Sequence, residues 1–284
     1  MDPISIYNKL TKPIRDSKIN SIISSISSDK TFPADVNFSF QERLIVKHEL
    51  TETFIPWVRS HIDGIREFNF KYIANGNSDA LNMIFMQRKF KHIYFLKKEY
   101  SYYSHICGLL NLEHTAIDLS EIDKVTSGDL FLISIPSSYD GTAIERLELV
   151  NKLQEKNVRV FIDVAYCGLT EPFYLKLNST KNTYLSFTFS KSSSLSFNRI
   201  AILFSDLSIP GIDIMNKLGY VNLSGANAAI ALMKNLPVDY FYNTYKDQYE
   251  KICQEKNLVP TKCILFGHDQ NKEKHCTTPY YNLK

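Results

Sequence analysis

The sequence predicts an α/β fold: a mostly parallel sheet flanked by helices, followed by a reduced C-terminal small domain. Three observations carry that expectation. Short apolar runs recur along the chain, "HIYFL", "DLFLISIP", "VRVFIDVAY", "TYLSFTFS" and "RIAILFS", and unbroken runs of this length suit strands buried on both faces. Polar or helical segments separate them, and "IERLELVNKLQEKN" reads as about three helical turns with mixed charges on its outer face. The chain has 284 residues, 44% of them hydrophobic and 22% charged, enough to bury a large core.

Taken in order, residues 1–39 read as an N-terminal arm, and 40–235 as the large domain. From Phe40 to about Ile65, "FQERLIVKHELTETFIPWVRSHI" spaces its apolar residues as an amphipathic helix does. "FNFKYIANGNSDALNMIF" then gives a short strand, an Asn-Gly break and a helix start at Ser78. The five apolar runs and their helices follow. Residues 236–284 read as a truncated small domain, in which "YEKICQEKNLVPTKCILFGHD" supplies a helix and one strand and "QNKEKHCTTPYYNLK" shows no pattern.

Charge and cysteine content narrow the function classes. The formal net charge is +3 and the basic residues are scattered, so there is no electrostatic footprint for nucleic acid. No segment reaches the ~18 apolar residues of a membrane span, and the N-terminus lacks the apolar core of a signal peptide. A soluble, cytoplasmic protein with no membrane partner is expected. The five cysteines form no CxxC pair, and Cys263, His268, His275 and Cys276 lack the spacing of a zinc site. Reduced thiols and no metal are expected.

In open parallel sheets, function gathers at the carboxyl ends of the strands. Those ends here carry Asn75 to Ser78, Glu99 to Tyr103, Ser137 to Thr142, Asp163 to Tyr166, and Thr188 to Lys191. Lys191 is set among hydroxyls, and Arg199 follows eight residues later at the head of an apolar run.

"TFSKSSSLSFNRI" and "FIDVAY" resemble motifs of the aspartate aminotransferase superfamily, the fold type I enzymes that use pyridoxal phosphate, with histidinol-phosphate aminotransferases and other class I and II members giving the closest likeness. The resemblance covers about Phe32 to Met233. It implies a Schiff base between Lys191 and the cofactor, Asp163 on the pyridine nitrogen and Tyr166 on the phenolate. Asn77 and Ser78 fall on phosphate-cup positions, Thr188 and Arg199 match the phosphate's hydroxyl and guanidinium, and Tyr100 stands where an aromatic ring faces the pyridine, with Tyr103 matching a second aromatic. A lysine serves such chemistry when partial desolvation and nearby cations lower its pKa, and a carboxylate on the ring nitrogen makes the ring an electron sink. The implied enzyme is an aminotransferase acting on a small amine or amino acid, as a homodimer.

The chain departs from the family pattern in three places. "IPSSYDGTA" puts Ser138 where the family has an asparagine on the phenolate. Phe32 in "TFPAD" stands where relatives have a tyrosine that crosses the dimer. No arginine follows Arg199, although the family grips the substrate carboxylate with a C-terminal arginine; three alternatives follow: a substrate without a free α-carboxylate, a lysine such as Lys262, or a partner subunit as the receptor. A lyase, decarboxylase or cyclase on the same scaffold, and a non-catalytic relative acting as a binding protein, remain open at this point.

Overall fold

A computed structural model describes residues 13–28, 39–192, 195 and 198–281; Phe32 lies outside them. In chain order the elements are helices α1 (Ser17–Ser28) and α2 (Phe40–Val58), strands β1 (Ile62–Asp63) and β2 (Phe70–Ala74), α3 (Asn77–Met86), β3 (Ile93–Leu96), α4 (Tyr102–Leu109), β4 (His114–Ile117), β5 (Leu130–Ser134), α5 (Ile144–Glu155), β6 (Arg159–Asp163) and β7 (Leu175–Lys176). There follow β8 (Thr183–Thr188), the single turn α6 (Phe189–Ser192), β9 (Ala201–Ser205), α7 (Pro210–Lys217), α8 (Leu223–Asn235), α9 (Tyr240–Glu255), β10 (Val259–Pro260), β11 (Phe266–His268) and β12 (Lys274–Cys276).

Seven strands form the main sheet in the order β2-β9-β8-β6-β5-β3-β4. Only β9 runs against its neighbours, pairing antiparallel with both β2 and β8; the other pairings are parallel. Every residue of β5, β8 and β9 is buried, as the continuous apolar runs require of central strands. The strand β4, "HTAI", is half-exposed at the sheet edge, where little burial leaves little apolar signal.

Helix α2 opens with a capping box: the Ser39 hydroxyl accepts from Glu42 N, and the Glu42 carboxylate accepts from Ser39 N. It stops at Val58, two residues after Pro56, whose ring has no N–H to continue the ladder. The predicted helix to Ile65 is therefore shorter, and β1 occupies its end. Helix α2 packs on α8, and the Trp57 indole N–H donates to Leu236 O at 2.7 Å.

The C-terminal residues 256–281 hold more structure than the sequence pattern shows. Strands β10, β11 and β12 make a three-stranded antiparallel sheet, and the Thr277 hydroxyl donates to Ile264 O at 2.8 Å.

Candidate active site

Sheet register lines up the polar residues at the carboxyl edge. Ser134 on β5 pairs with Asp163 on β6, and Asp163 pairs with Ser186 on β8; farther along the edge Thr188 pairs with Ala201, and Ala201 with Ala74. The carboxyl ends of β2, β5, β6 and β8 and the start of the antiparallel β9 thus lie along one edge of the sheet.

Asp163 is 5% exposed. Its Oδ1 accepts from Asn77 Nδ2 at 2.5 Å and from Ala165 N at 3.0 Å, and its Oδ2 accepts from the Tyr103 hydroxyl at 3.4 Å. Burial, opposed by the Ala165 and Asn77 hydrogen bonds and reinforced by the charge of Glu99, pushes its pKa up to about 6. No ion pair holds Asp163 among the described residues. The donors on this desolvated carboxylate are all neutral.

Asn77 uses its side chain within the protein. Besides Asp163, its Nδ2 donates to Ser186 O at 3.3 Å and its Oδ1 accepts from the Ser186 hydroxyl at 2.8 Å. What Asn77 and Ser78 offer a ligand is the first turn of α3, where backbone N–H groups lack intrahelical acceptors. Gly76 precedes them at φ +92°, and a Cβ there would stand 2.5 Å from Arg199 Nη2. The guanidinium therefore lies against the start of α3, and only glycine leaves it room.

Arg199 holds a left-handed backbone, φ +43°. Asn222, the N-cap of α8, fixes it by donating to Asn198 O and, at 3.3 Å, to Arg199 O, while its Oδ1 accepts from Gly225 N at 2.8 Å. Arg199 also reaches the Ser190 hydroxyl at 3.5 Å, and Thr188 Oγ1 donates to Ser190 Oγ at 3.0 Å. Cation, hydroxyls and helix start make an anion cradle.

Tyr100 covers this cradle. It exposes 37% of its surface, but its hydroxyl end is enclosed, with Asp163, Ser78 and Arg199 around it; burial first, and the charge of Asp163 next, raise its pKa. Tyr103 is 1% exposed and meets the Tyr100 ring edge-on at 5.7 Å.

Lys191 sits in α6 at the end of β8. Burial lowers its pKa to about 8, with Lys274 and Arg199 adding to the effect and Cys276 and Cys263 opposing it. Tyr166 is 6% exposed and meets Phe266 of β11 edge-on at 5.7 Å.

Ser138 is buried in the turn after β5. Its hydroxyl donates to Glu99 Oε2 at 3.3 Å, and its N–H to the Ser134 hydroxyl at 2.8 Å. The Glu99 carboxylate, 1% exposed, is paired with Arg146 and accepts from the Ser134 hydroxyl at 2.5 Å.

The structure thus brings Asp163, Asn77, Ser78, Tyr100, Thr188 and Arg199 together around one cradle, with Lys191 near enough to feel the Arg199 charge; among the described contacts Tyr166 meets Phe266 and Ser138 meets Glu99 and Ser134.

A family model described as aminotransferase class I and II matches residues 77–254. The chain belongs to this family. Among solved structures, this aminotransferase class I and II member is similar to the aromatic aminotransferase from Pyrococcus horikoshii, with a TM-score of 0.68 and 13% identity over 91% of this chain and 78% of that one. It is also similar to the PLP-bound C-S lyase from Staphylococcus hominis, with a TM-score of 0.64 and 10% identity over 88% of this chain and 73% of that one. A third likeness is to L-threonine-O-3-phosphate decarboxylase from Porphyromonas gingivalis, with a TM-score of 0.64 and 13% identity over 91% of this chain and 80% of that one. No curated protein sequence matches. At these identities the structural likeness speaks for the fold, and the fold expected from the sequence is the one found.

Four contributors to this family member's site carry no motif. Ser186 is hidden inside a run whose every residue is buried, so no local alternation marks it. Glu99 and Arg146 are far apart in sequence, and no local pattern announces their pairing. Lys274 belongs to the C-terminal stretch without a pattern; Lys262, the sequence candidate for a carboxylate, instead pairs with Glu171 at 3.2 Å in solvent.

No helix among the described residues is long and apolar enough to cross a membrane.

Proposed function

We propose that the protein is a pyridoxal-phosphate-dependent aminotransferase-like enzyme, bound to its cofactor through Lys191 and acting on a small amine or amino acid. The observation that carries the reading is the placement of a pKa-lowered lysine and a buried, unpaired carboxylate at the ends of adjacent parallel strands. When bound, the cofactor supplies an aldehyde for an amine and a ring that stabilises negative charge on the carbon beside it.

The residues present fit that group. Arg199, Thr188 and the N–H groups of Asn77 and Ser78 receive the phosphate, in the space that Gly76 keeps open. Asp163, oriented by Asn77, Tyr103 and Ala165 N, holds the ring nitrogen's proton. Tyr100, which covers the cradle, would shield the bound ring from water. Tyr166 would hold the phenolate oxygen, and Ser138, whose hydroxyl donates to Glu99, would serve the same oxygen. Lys191, with a pKa of about 8, is unprotonated in roughly one molecule in ten at pH 7, enough to act as nucleophile and then to carry a proton at the substrate carbon. The working unit in this reading is a homodimer in the cytoplasm.

The test is a titration of the purified protein with pyridoxal phosphate, followed by a panel of amine donors. A visible absorption band that is absent in Lys191→Ala, and that passes to the amine form of the cofactor with at least one donor, supports the reading. A wild type that stays colourless overturns it. A band that forms but never passes to the amine form with any donor assigns the protein to the lyase, decarboxylase or cyclase chemistry found on the same fold.

A further inference from the structure

Lys274 is a cation whose charge acts on Lys191 and which has no ion-pair partner among the described residues. Its side chain is exposed along β12, but its ammonium is drawn inward and donates to Ser138 O at 3.1 Å. It lies 5.0 Å from the centre of the Phe266 ring, and that ring meets Tyr166 edge-on at 5.7 Å. The ammonium therefore lies between the loop that follows β5, which carries Ser138, and Phe266 of β11, and its charge is felt at Lys191.

Among the described residues Lys274 forms no ion pair, as is also true of surface lysines such as Lys89, Lys181 and Lys246; Lys274 differs from these in that its ammonium has lost hydration. The Cys263 and Cys276 thiols act on its charge first and the Glu99 carboxylate after them, and that carboxylate is engaged by Arg146. Loss of hydration holds the Lys274 pKa below the ordinary lysine range. Of three N–H donors, one is used on a neutral carbonyl. An enclosed ammonium without an anion is costly, and its remaining donors point to an anion that a ligand brings.

We infer that Lys274 is the receptor for a substrate carboxylate, so that the amine taken by this site is an amino acid. The inference rests on the function proposed above, because it needs the substrate amine to meet the cofactor at Lys191. A single ammonium suits one carboxylate, while a phosphoryl dianion is better served by the guanidinium and helix start on the opposite side. The position also gives the turn after β5 a second use. Gly141, at φ +76°, has no room for a Cβ, which would meet Cys263 N at 2.7 Å. Close packing of this turn on the C-terminal segment seats Ser138 O under Lys274.

The experiment measures labelling and catalysis separately. The protein, with and without pyridoxal phosphate, is acetylated by isotope-coded acetic anhydride in the presence of succinate or of neutral succinamide, and each lysine is quantified by peptide mass spectrometry. Succinate is expected to slow labelling of Lys274 and leave Lys262 unchanged, while succinamide slows neither. In the cofactor-loaded enzyme, Lys274→Met is expected to raise KM for L-alanine by roughly 10- to 100-fold with a smaller effect on kcat, and to affect reaction with ethylamine far less, by no more than the loss of one charge near Lys191 entails; Lys274→Arg recovers most of the loss. Labelling of Lys274 that ignores succinate overturns the inference, as does a Lys274→Met enzyme that loses ethylamine and L-alanine equally, since that marks a structural role. Failure of the visible band in wild type strikes the proposed function instead and is read independently of the labelling.

Discussion

The wall of the site made by the main sheet and the wall made by the C-terminal sheet hold their charges differently. On the first, Asp163 is fixed by three donors from three elements, and Arg199 is wedged between Gly76 and a backbone pinned by Asn222. On the second, Lys274 hangs from one carbonyl oxygen and an aromatic face. The difference teaches which groups are preorganised for a constant ligand and which are left to adapt. A bound cofactor is the same in every turnover, so rigid donors in a dry site serve it best; a substrate arrives and leaves, and a flexible ammonium with spare donors accommodates that.

The largest expected effect breaks the comparison at Asp163. Its carboxyl has a pKa raised to about 6, so the native protein without cofactor binds a proton more tightly than the unfolded chain does. Stability therefore falls as pH rises from about 4 to about 6 and stays reduced above that. Asp163→Asn removes the charge, and the cofactor-free variant is expected to be more stable than wild type by up to about 3 kcal/mol above pH 6, with the gain vanishing near pH 4. Denaturant unfolding across that range checks it, and the same variant is expected to lose turnover. A variant that is less stable at every pH would mean that Asp163 holds the fold rather than waits for a cation.

Arg199→Ala comes next. Removing a charge-assisted donor from the phosphate cradle is expected to weaken pyridoxal phosphate binding on the order of 100-fold, read by absorbance titration. Gly76→Ala should act in the same direction and less strongly, about tenfold, because the added Cβ meets Arg199 Nη2 at 2.5 Å and φ +92° is strained for alanine. The smallest effect sharpens the contrast: Lys274→Met is expected to change pyridoxal phosphate affinity by less than about twofold. Equal losses from Arg199→Ala and Lys274→Met would erase the distinction between the two walls.

The main-sheet wall was legible in the sequence because its parts are local. Thr188, Lys191 and Arg199 lie within one loop, and Asp163 with Tyr166 within one strand end, so their spacing survives without a structure. The buried runs of β5, β6, β8 and β9 were legible for the same reason. Asn77 was legible as part of the cradle, but its side-chain bond to Asp163 was not, since that pairing joins residues 86 positions apart. The C-terminal wall was hidden because β10 and β12 are two and three residues long and mostly exposed, too short and too wet for alternation to show. Lys274 acquires its meaning only from Ser138 and Phe266, and no spacing in the sequence encodes that meeting.

Reduction with borohydride in the presence of pyridoxal phosphate, followed by peptide mapping, tests the central claim most directly, because it makes the lysine linkage permanent and locates it. The account predicts the cofactor's mass on the peptide that contains Lys191 and on no other. Attachment at Lys274 or another lysine, or no attachment in a protein that stays folded, would contradict it.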